Sequence, residues 1–206
     1  IIIGGGLIGL AIGYGLSKLG RKCLILDEKD NSFKAARGNF GLIWVQGKGA
    51  GVSRYADWTM RSSELWSNFS LELEEITGIK LNMEQNGGIH VCLTQKEFDE
   101  REKKLNLLRS HQNGKFDFQM LNNDELSKII PGLGIKVFGG SFSYHDGHVN
   151  PLYLMKSLHN AFIINNGKFI SSSEVIKIKK IENDFIIQTK KDSYFSKKLV
   201  LAAGLG

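Results

Sequence analysis

The sequence of 206 residues predicts an α/β fold, and three observations lead to this prediction. Residues 1–28 run from an apolar strand through a glycine-rich turn and a helical pattern to a second apolar strand. Residues 81–146 mix short β-prone runs with helical patterns, and residues 199–204 form a last apolar run that ends in small residues. Continuous apolar runs are typical of parallel strands that are buried on both faces. We therefore expect a parallel sheet built from the two ends of the chain, with a mixed α+β segment inserted between them.

The first 28 residues have the pattern of a dinucleotide-binding βαβ unit. Three isoleucines precede the spacing Gly4-x-Gly6-x-x-Gly9, and Asp27 ends the second strand. Gly4 permits the tight turn, Gly6 lets a pyrophosphate approach the backbone, and Gly9 lets the helix pack closely on the strand. The helix N-terminus favours an anion, and a carboxylate at Asp27 can accept hydrogen bonds from ribose hydroxyls but repels a 2′-phosphate. The predicted nucleotide contacts of this stretch are Gly4, Gly6, Leu7, Ile8, Gly9, Asp27 and Glu28.

Two other interpretations of this stretch are an ordinary α/β core unit and a hydrophobic signal segment. Six of the first 16 residues are glycine, which makes a poor membrane helix. The strand before the glycines, the helix after them and the acid at the end of the second strand together favour the nucleotide interpretation.

Residues 29–51 form a glycine-rich stretch with few acidic residues. Close glycines together with Arg37, Asn39, Gln46 and Lys48 are typical of a loop that approaches an anionic or planar ligand. A plain surface loop is the alternative, but such a loop would seldom carry the apolar run of residues 40–45. We therefore predict that this loop lines a ligand.

The remaining sequence predicts the other helices and strands. Residues 57–77 have an amphipathic helical pattern, and residues 81–93 place an Asn86-Gly87 turn between two β-prone runs, as in a β-hairpin. Asn150 and Pro151 suit the start of a helix, with Asn as the N-cap and Pro at the first helical position. Further predicted elements are helices at 95–111 and 122–130 and strands at 116–121, 137–144, 169–170, 175–181, 185–189 and 194–195.

The composition argues against several classes of function. The net charge is +6, but the lysines are scattered or in short runs beside predicted strands, and no nucleic-acid-binding motif accompanies them. The two cysteines lie in apolar strand-like runs without metal-ligand spacing, which suggests buried thiols in a reducing compartment. His145, Asp146 and His148 have a spacing that could ligate a metal, but a structural turn is the favoured interpretation. We expect no metal site, no nucleic-acid partner and no membrane span.

Five stretches of the sequence together resemble a known family. In order along the chain they are IIIGGGLIGLAIGYGLSKLGRKCLILDE, RGNFGLIWVQGKG, NGGIHV, DGHVNPLYL and LVLAAG. They resemble the FAD-dependent oxidoreductases that include D-amino-acid oxidase, glycine oxidase and sarcosine oxidase, and most of all the flavin subunits of hydrogen cyanide synthase and opine oxidase. The resemblance implies a Rossmann-like FAD-binding domain formed by residues 1–80 and 147–206, with 81–146 as part of an inserted mixed α+β substrate-binding domain. It also implies a fragment of a longer protein, since the family's usual carboxylate-binding residues lie in a C-terminal half.

FAD is the cofactor that the resemblance implies. The glycines of the first motif and Asp27 would hold the ADP half, the loop after Arg37 would run along the pyrophosphate towards the flavin, and Val175 would contact the adenine through its backbone. At Ala35 and Ala36 many relatives carry a serine, so a hydroxyl contact to phosphate is missing here or comes from Ser32. The implied contacts beyond the first stretch are Arg37, Gly38, Asn39, Gly41, Leu42, Ile43, Val175, Ala202, Ala203 and Gly204.

The implied reaction is oxidation of the C–N bond of an amino acid or secondary amine, with a hydride passing to flavin N5 and the imine then hydrolysed. Gln46 and Lys48 are weak candidates for polar groups near the flavin, and Lys48 is equally well interpreted as a solvated lysine. Oxidation of a hydroxy acid or polyol phosphate, or a non-catalytic flavin-binding subunit, are the alternatives. The expected partners are a small amine or amino-acid substrate and a partner subunit, and the expected location is the cytoplasm, either free or peripheral to the inner membrane. The electron acceptor stays open among oxygen, a quinone and a partner protein.

Overall fold

The structure, a computed structural model, describes residues 1–28, 35 and 38–204. The helices of the described residues are α1 (Leu7–Lys18), α2 (Ser53–Thr77), α3 (Gln95–His111), α4 (Asn123–Ile129) and α5 (Pro151–Ile164). The strands of the described residues are β1 (Ile2–Ile3), β2 (Leu24–Leu26), β3 (Leu42–Ile43), β4 (Gly88–Cys92), β5 (Gln119–Asn122), β6 (Gly139–Ser143), β7 (Gly147–His148), β8 (Lys168–Ile170), β9 (Val175–Ile181), β10 (Asp184–Thr189), β11 (Ser193–Ser196) and β12 (Val200–Leu201).

The chain divides into two compact units. The first unit comprises Ile1–Phe40, Glu72–Leu81 and Asn150–Gly206, and the second comprises Gly41–Leu71 and Asn82–Val149. The predicted boundaries placed residues 41–71 in the FAD-binding domain, whereas in the structure these residues belong to the second unit. The reason is a shared hydrophobic core, made of Val45, Ala56, Met60, Leu105, Leu108 and Phe116.

The first unit contains the predicted parallel sheet, with strand order β12-β1-β2-β8. Ile2 lies opposite Ile25 on one side and Val200 on the other, and the pairings β1–β12, β1–β2 and β2–β8 are all parallel. Ile2 and Ile25 are fully buried, as continuous apolar runs require. The Rossmann-type α/β fold predicted from the sequence is therefore confirmed. A second sheet in this unit, β11-β10-β9, is antiparallel.

Helix α5 begins where its sequence predicts. The Asn150 side chain accepts hydrogen bonds from the backbone N–H groups of Leu152 and Tyr153, at 3.1 Å each, and Pro151 is the first helical residue. Helix α1 approaches both α5 and the sheet closely at Gly13, where a Cβ would meet Ile25 and Phe162. These contacts pack the middle of α1 against β2 and α5.

The second unit contains an antiparallel sheet of order β4-β6-β5, together with the pair β3-β7. The hairpin predicted for residues 81–93 was wrong, because β4 pairs with β6 and Glu84 instead bridges to His148. Gly139 and Gly140 of β6 permit these pairings, since a Cβ at either position would clash with the backbone of a neighbouring strand.

The described ranges contain no helix that is long and apolar enough to span a bilayer. They also contain no cluster of three or more His, Cys, Asp or Glu side chains suited to a metal ion. Cys23 and Cys92 are free thiols.

Candidate functional site

A cavity of about 630 Å³ lies in the first unit at the carboxyl ends of β1, β2 and β12. Ligands of open α/β sheets bind at this edge of the sheet. The cavity also reaches the start of β9. Its lining residues are Ile3, Gly4, Gly6, Leu7, Ile8, Leu26, Asp27, Glu28, Ala35, Asn39, Ser173, Glu174, Val175, Ala202, Ala203 and Gly204.

Gly4 and Gly9 allow three segments to meet at one end of this cavity. Gly4 has a φ of +100°, and a Cβ there would overlap the backbone of Ala202. A Cβ at Gly9 would overlap the carbonyl oxygen of Gly4. The turn after β1, the first turn of α1 and the end of β12 therefore touch through backbone atoms, which is the close packing expected of these glycines.

Gly6 differs from its neighbours because the protein itself does not require a glycine there. Its φ of −77° and ψ of −173° are open to any residue, and no described atom lies within 4 Å of where its Cβ would be. Gly6 lines the cavity and is the N-cap of α1, yet within the described residues no side chain caps this helix. The first N–H groups of a helix lack partners inside the helix, so they are available to an anion that approaches through the space beside Gly6.

Asp27 is held at the edge of the cavity by backbone contacts. It is 5% exposed, its Oδ2 accepts a hydrogen bond from the Gly5 N–H at 2.5 Å, and its carbonyl accepts one from the Ser173 N–H at 2.8 Å. The charged side chains in the lining are the carboxylates of Asp27, Glu28 and Glu174. Among the described lining residues, the groups that can attract a phosphate are therefore backbone N–H groups, and a phosphate on a ribose beside Asp27 would be repelled.

Five lining residues are absent from the predicted contacts, namely Ile3, Leu26, Ala35, Ser173 and Glu174. Ser173 and Glu174 precede the predicted contact Val175 and join β8 to β9. Their position follows from the pairing of β8 beside β2, which brings the residues after β8 next to Asp27. The start of a strand directly after the polar residues Ser173 and Glu174 was the available signal.

Several predicted cofactor contacts lie outside this cavity. Gly9 packs behind the turn, and Gly38 does not line the cavity, although Asn39 does. Arg37 and Ser32 fall outside the described residues. Gly41, Leu42 and Ile43 belong to the second unit, where Leu42 and Ile43 form β3 and line a separate cleft beside α2. Their predicted contact with the flavin stays a prediction.

Comparison with known proteins assigns the family. The family model described as FAD dependent oxidoreductase (DAO) matches residues 1–206, the whole sequence. The chain belongs to this family of FAD-dependent oxidoreductases. FAD is the cofactor of the family.

Individual relatives agree with this assignment. A subunit of opine oxidase from Rhizobium meliloti is 35% identical over 205 residues, covering 99% of this chain and 55% of that protein. Glycine oxidase of Bacillus licheniformis is 26% identical over 152 residues, covering 73% of this chain and 39% of that protein. The crystal structure of glycine oxidase from Geobacillus kaustophilus has the same fold, with a TM-score of 0.88 at 24% identity over 98% of this chain and 54% of that one. The chain thus spans about half the length of the first relatives it matches.

The weak catalytic candidates of this FAD-dependent oxidoreductase chain lie in the second unit. Gln46 is fully buried, and its Oε1 accepts hydrogen bonds from Arg101 Nη2 at 2.7 Å and Ser141 Oγ at 2.6 Å. Its Nε2 donates to the Gly88 carbonyl at 2.9 Å. These contacts within the protein account for the burial of Gln46. Lys48, in contrast, is exposed in the turn that follows β3.

Asp146 is buried beside this cluster. Its Oδ1 accepts hydrogen bonds from the backbone N–H of Val45 at 2.5 Å and of Gln46 at 3.4 Å, whereas Oδ2 has no hydrogen-bond partner among the described residues. Burial raises the pKa of the Asp146 carboxyl, and the hydrogen bonds from Val45 and Gln46 only partly oppose this effect. Burial also lowers the pKa of the Arg101 guanidinium. The sequence analysis favoured a turn over a metal site at His145–His148. In the structure, the hydrogen bonds of Asp146 connect this segment to the backbone that follows β3.

The raised pKa of Asp146 predicts a pH-dependent stability. The folded state favours the protonated carboxyl, so the stabilisation is complete below the carboxyl's ordinary pKa and is lost as pH rises through its folded value. Compared with Asp146→Asn, the wild-type free energy of unfolding should therefore fall as pH rises from about 4 to about 8. Urea unfolding at several pH values measures this difference. The exposed Asp99→Asn controls for the loss of one negative charge, and a wild-type advantage over Asp146→Asn that grows with pH would contradict the expectation.

Proposed function

We propose that the cavity at the edge of the parallel sheet binds the ADP half of FAD. The observation that carries this proposal is the uncapped start of α1 beside Gly6, which opens onto the cavity and has no structural need for a glycine. An anion at a helix N-terminus gains about 0.3–1 kcal/mol at exposed sites and up to about 2 kcal/mol in partly buried ones. The charged side chains of the described lining are acidic and would repel a pyrophosphate. Within that lining, the attraction for a pyrophosphate therefore comes from the N-terminus of α1.

The other lining residues suit the remaining parts of an ADP group. The Asp27 carboxylate, fixed by the Gly5 N–H, can accept hydrogen bonds from the two ribose hydroxyls. Val175 opens β9 at the cavity wall and offers its backbone to an adenine. The small residues Ala202, Ala203 and Gly204 leave space at the end of β12. The Asp27 carboxylate beside the ribose position supports FAD over a cofactor with a 2′-phosphate, which this carboxylate would repel.

We propose further that the protein oxidises the C–N bond of an amino acid or secondary amine. Its relatives, an opine oxidase subunit and glycine oxidase, support this reaction class. FAD, when bound, supplies the two-electron acceptor for the hydrogen that leaves the substrate carbon. The residues of this chain contribute by binding and orienting the cofactor, and none of the described residues is assigned as an acid or base. Gln46 acts, in this proposal, by holding the segment after β3 in place.

A partner subunit is also part of the proposal. The relative with 35% identity is named a subunit, which implies that it works within an assembly. We therefore propose that electrons from the substrate leave this protein through a partner subunit as well as, or instead of, through oxygen. A flavin-binding subunit without its own substrate is the alternative, and the response of the bound flavin to substrates distinguishes the two.

Gly6→Val should abolish FAD binding, because its side chain would occupy the space beside the α1 N-terminus. The fold should persist, since no described atom lies within 4 Å of the new Cβ and the backbone angles suit valine. Gly15→Val is the matched control, because its Cβ also meets no described atom within 4 Å but Gly15 does not line the cavity. The ratio of flavin absorbance to protein absorbance after purification is the measurement. Equal flavin content in Gly6→Val and Gly15→Val would refute the assignment of this cavity.

Anaerobic addition of amines should bleach the bound flavin. Amino acids and secondary amines are expected to remove the visible flavin absorbance, whereas hydroxy acids and polyol phosphates at the same concentration should leave it unchanged. The same titration with free FAD controls for direct chemical reduction. Bleaching by the hydroxy compounds alone would contradict C–N oxidation and indicate oxidation of a hydroxy acid or polyol phosphate. A flavin that no compound reduces would favour a non-catalytic subunit.

A further inference from the structure

The N-terminal half of α2 exposes an apolar stripe to solvent. Trp58 is 70% exposed, Leu65 56% and Tyr55 41%, and with Ser62 they recur at intervals of three and four residues, which places them on one helix face. The opposite face, with Ala56, Met60 and Ser63, is buried in the second unit. Large aromatic side chains that remain exposed on a partly buried helix are typical of contact surfaces.

A cleft of about 270 Å³ lies beside this stripe, between β3 and α2. Its two serine hydroxyls already donate within the protein: Ser62 Oγ to the Trp58 carbonyl at 2.8 Å, and Ser63 Oγ to the His145 carbonyl at 2.6 Å. The lining contains no charged side chain among the described residues, so the cleft suits an apolar or aromatic group. Its lining residues are Leu42, Ile43, Trp44, Val45, Tyr55, Trp58, Thr59, Ser62, Ser63 and Trp66.

A stripe of alternating charge runs along one flank of the apolar stripe. In order it reads Arg54, Asp57, Arg61 and Glu64, and all four side chains are exposed. Their spacing of three and four residues would allow ion pairs within the helix. Within the described ranges, however, none of the four makes an ion pair or a side-chain hydrogen bond.

The order of these charges is self-complementary for an antiparallel helix pair. When α2 packs against α2 of a second copy in antiparallel orientation, the same flank of each helix meets itself. In a register centred on Thr59, Arg54 then faces Glu64 of the other copy, and Asp57 faces Arg61. In a parallel pair this flank would instead meet the opposite flank of the other helix, so the four charges would not pair with one another.

We propose that the exposed face of α2 is an isologous interface through which two copies of this chain form a dimer. Two-fold symmetry places each patch against its own copy, as closed homodimers require. Near the axis, Trp58 of each copy lies close to Trp58 of the other, and Tyr55 lies opposite Ser62 and Leu65 of the other. The cleft beside β3 then receives aromatic surface from the second copy, while the four flanking ion pairs select the antiparallel register. The interface lies wholly in the second unit and does not depend on the proposed cofactor site.

Charge reversal and charge exchange test this register on the full chain. Asp57→Arg places a guanidinium against Arg61 of the other copy at two symmetric positions, and should raise the dimer dissociation constant by about tenfold or more. The double variant D57R/R61D restores opposite charges at both positions and should return the dissociation constant to near the wild-type value. Trp58→Ser should also weaken the dimer. Sedimentation equilibrium over a range of protein concentrations measures the dissociation constant.

Glu100→Lys on α3 is the matched control, since it changes the net charge by the same amount as Asp57→Arg at an exposed helical position. It should leave the dissociation constant unchanged, and thermal unfolding should show that all variants are folded. A wild-type protein that sediments as a monomer would overturn the proposal. This includes a monomer in which acrylamide fails to quench Trp58 fluorescence because another polypeptide covers that side chain. A dimer that Asp57→Arg does not weaken, or that D57R/R61D does not restore, would equally overturn it.

Discussion

The cavity at the edge of the parallel sheet depends on one constraint, the direct backbone contact of α1 with the turn after β1. A Cβ at Gly9 would overlap the Gly4 carbonyl, and a Cβ at Gly4 would overlap the backbone of Ala202. Side chains forced into such packing cost about 1–3 kcal/mol or more, and the backbone moves to relieve them. Here that movement would carry the helix start away from the strand ends, so the position of the cavity follows from the absence of two side chains.

Within this arrangement each polar group has a distinct source. The start of α1 supplies backbone donors, β2 supplies the Asp27 carboxylate, and the residues after β8 hold that carboxylate's backbone in place. The charged side chains of the described lining are acidic, so within that lining the group that would attract the proposed pyrophosphate is the helix terminus. The same acidic lining disfavours an additional phosphate on the ribose, which agrees with FAD as the cofactor of the family.

The elements with local signals could be predicted from the sequence, and those set by long-range contacts could not. Asn150 and Pro151 mark the start of α5 through side chain-to-backbone bonds that reach no further than three residues. The spacing of Gly4, Gly6 and Gly9 is likewise a local pattern, although Gly4 packs against the distant Ala202. The Asn86-Gly87 dipeptide suggested a hairpin, but β6, some 50 residues later, pairs with the strand that follows it. Gln46 is a second example, because its hydrogen-bond partners Arg101 and Ser141 are distant in sequence. The burial of its side chain could therefore not be predicted from the residues around it.

A crystal structure of the protein with FAD bound is the most direct test of whether the ADP half lies against the first turn of α1. We expect pyrophosphate oxygens within about 3 Å of the backbone nitrogens at the start of α1, and ribose hydroxyls at a similar distance from the Asp27 carboxylate. Density for the ADP group at any other place, with the space beside Gly6 filled by solvent, would contradict this placement.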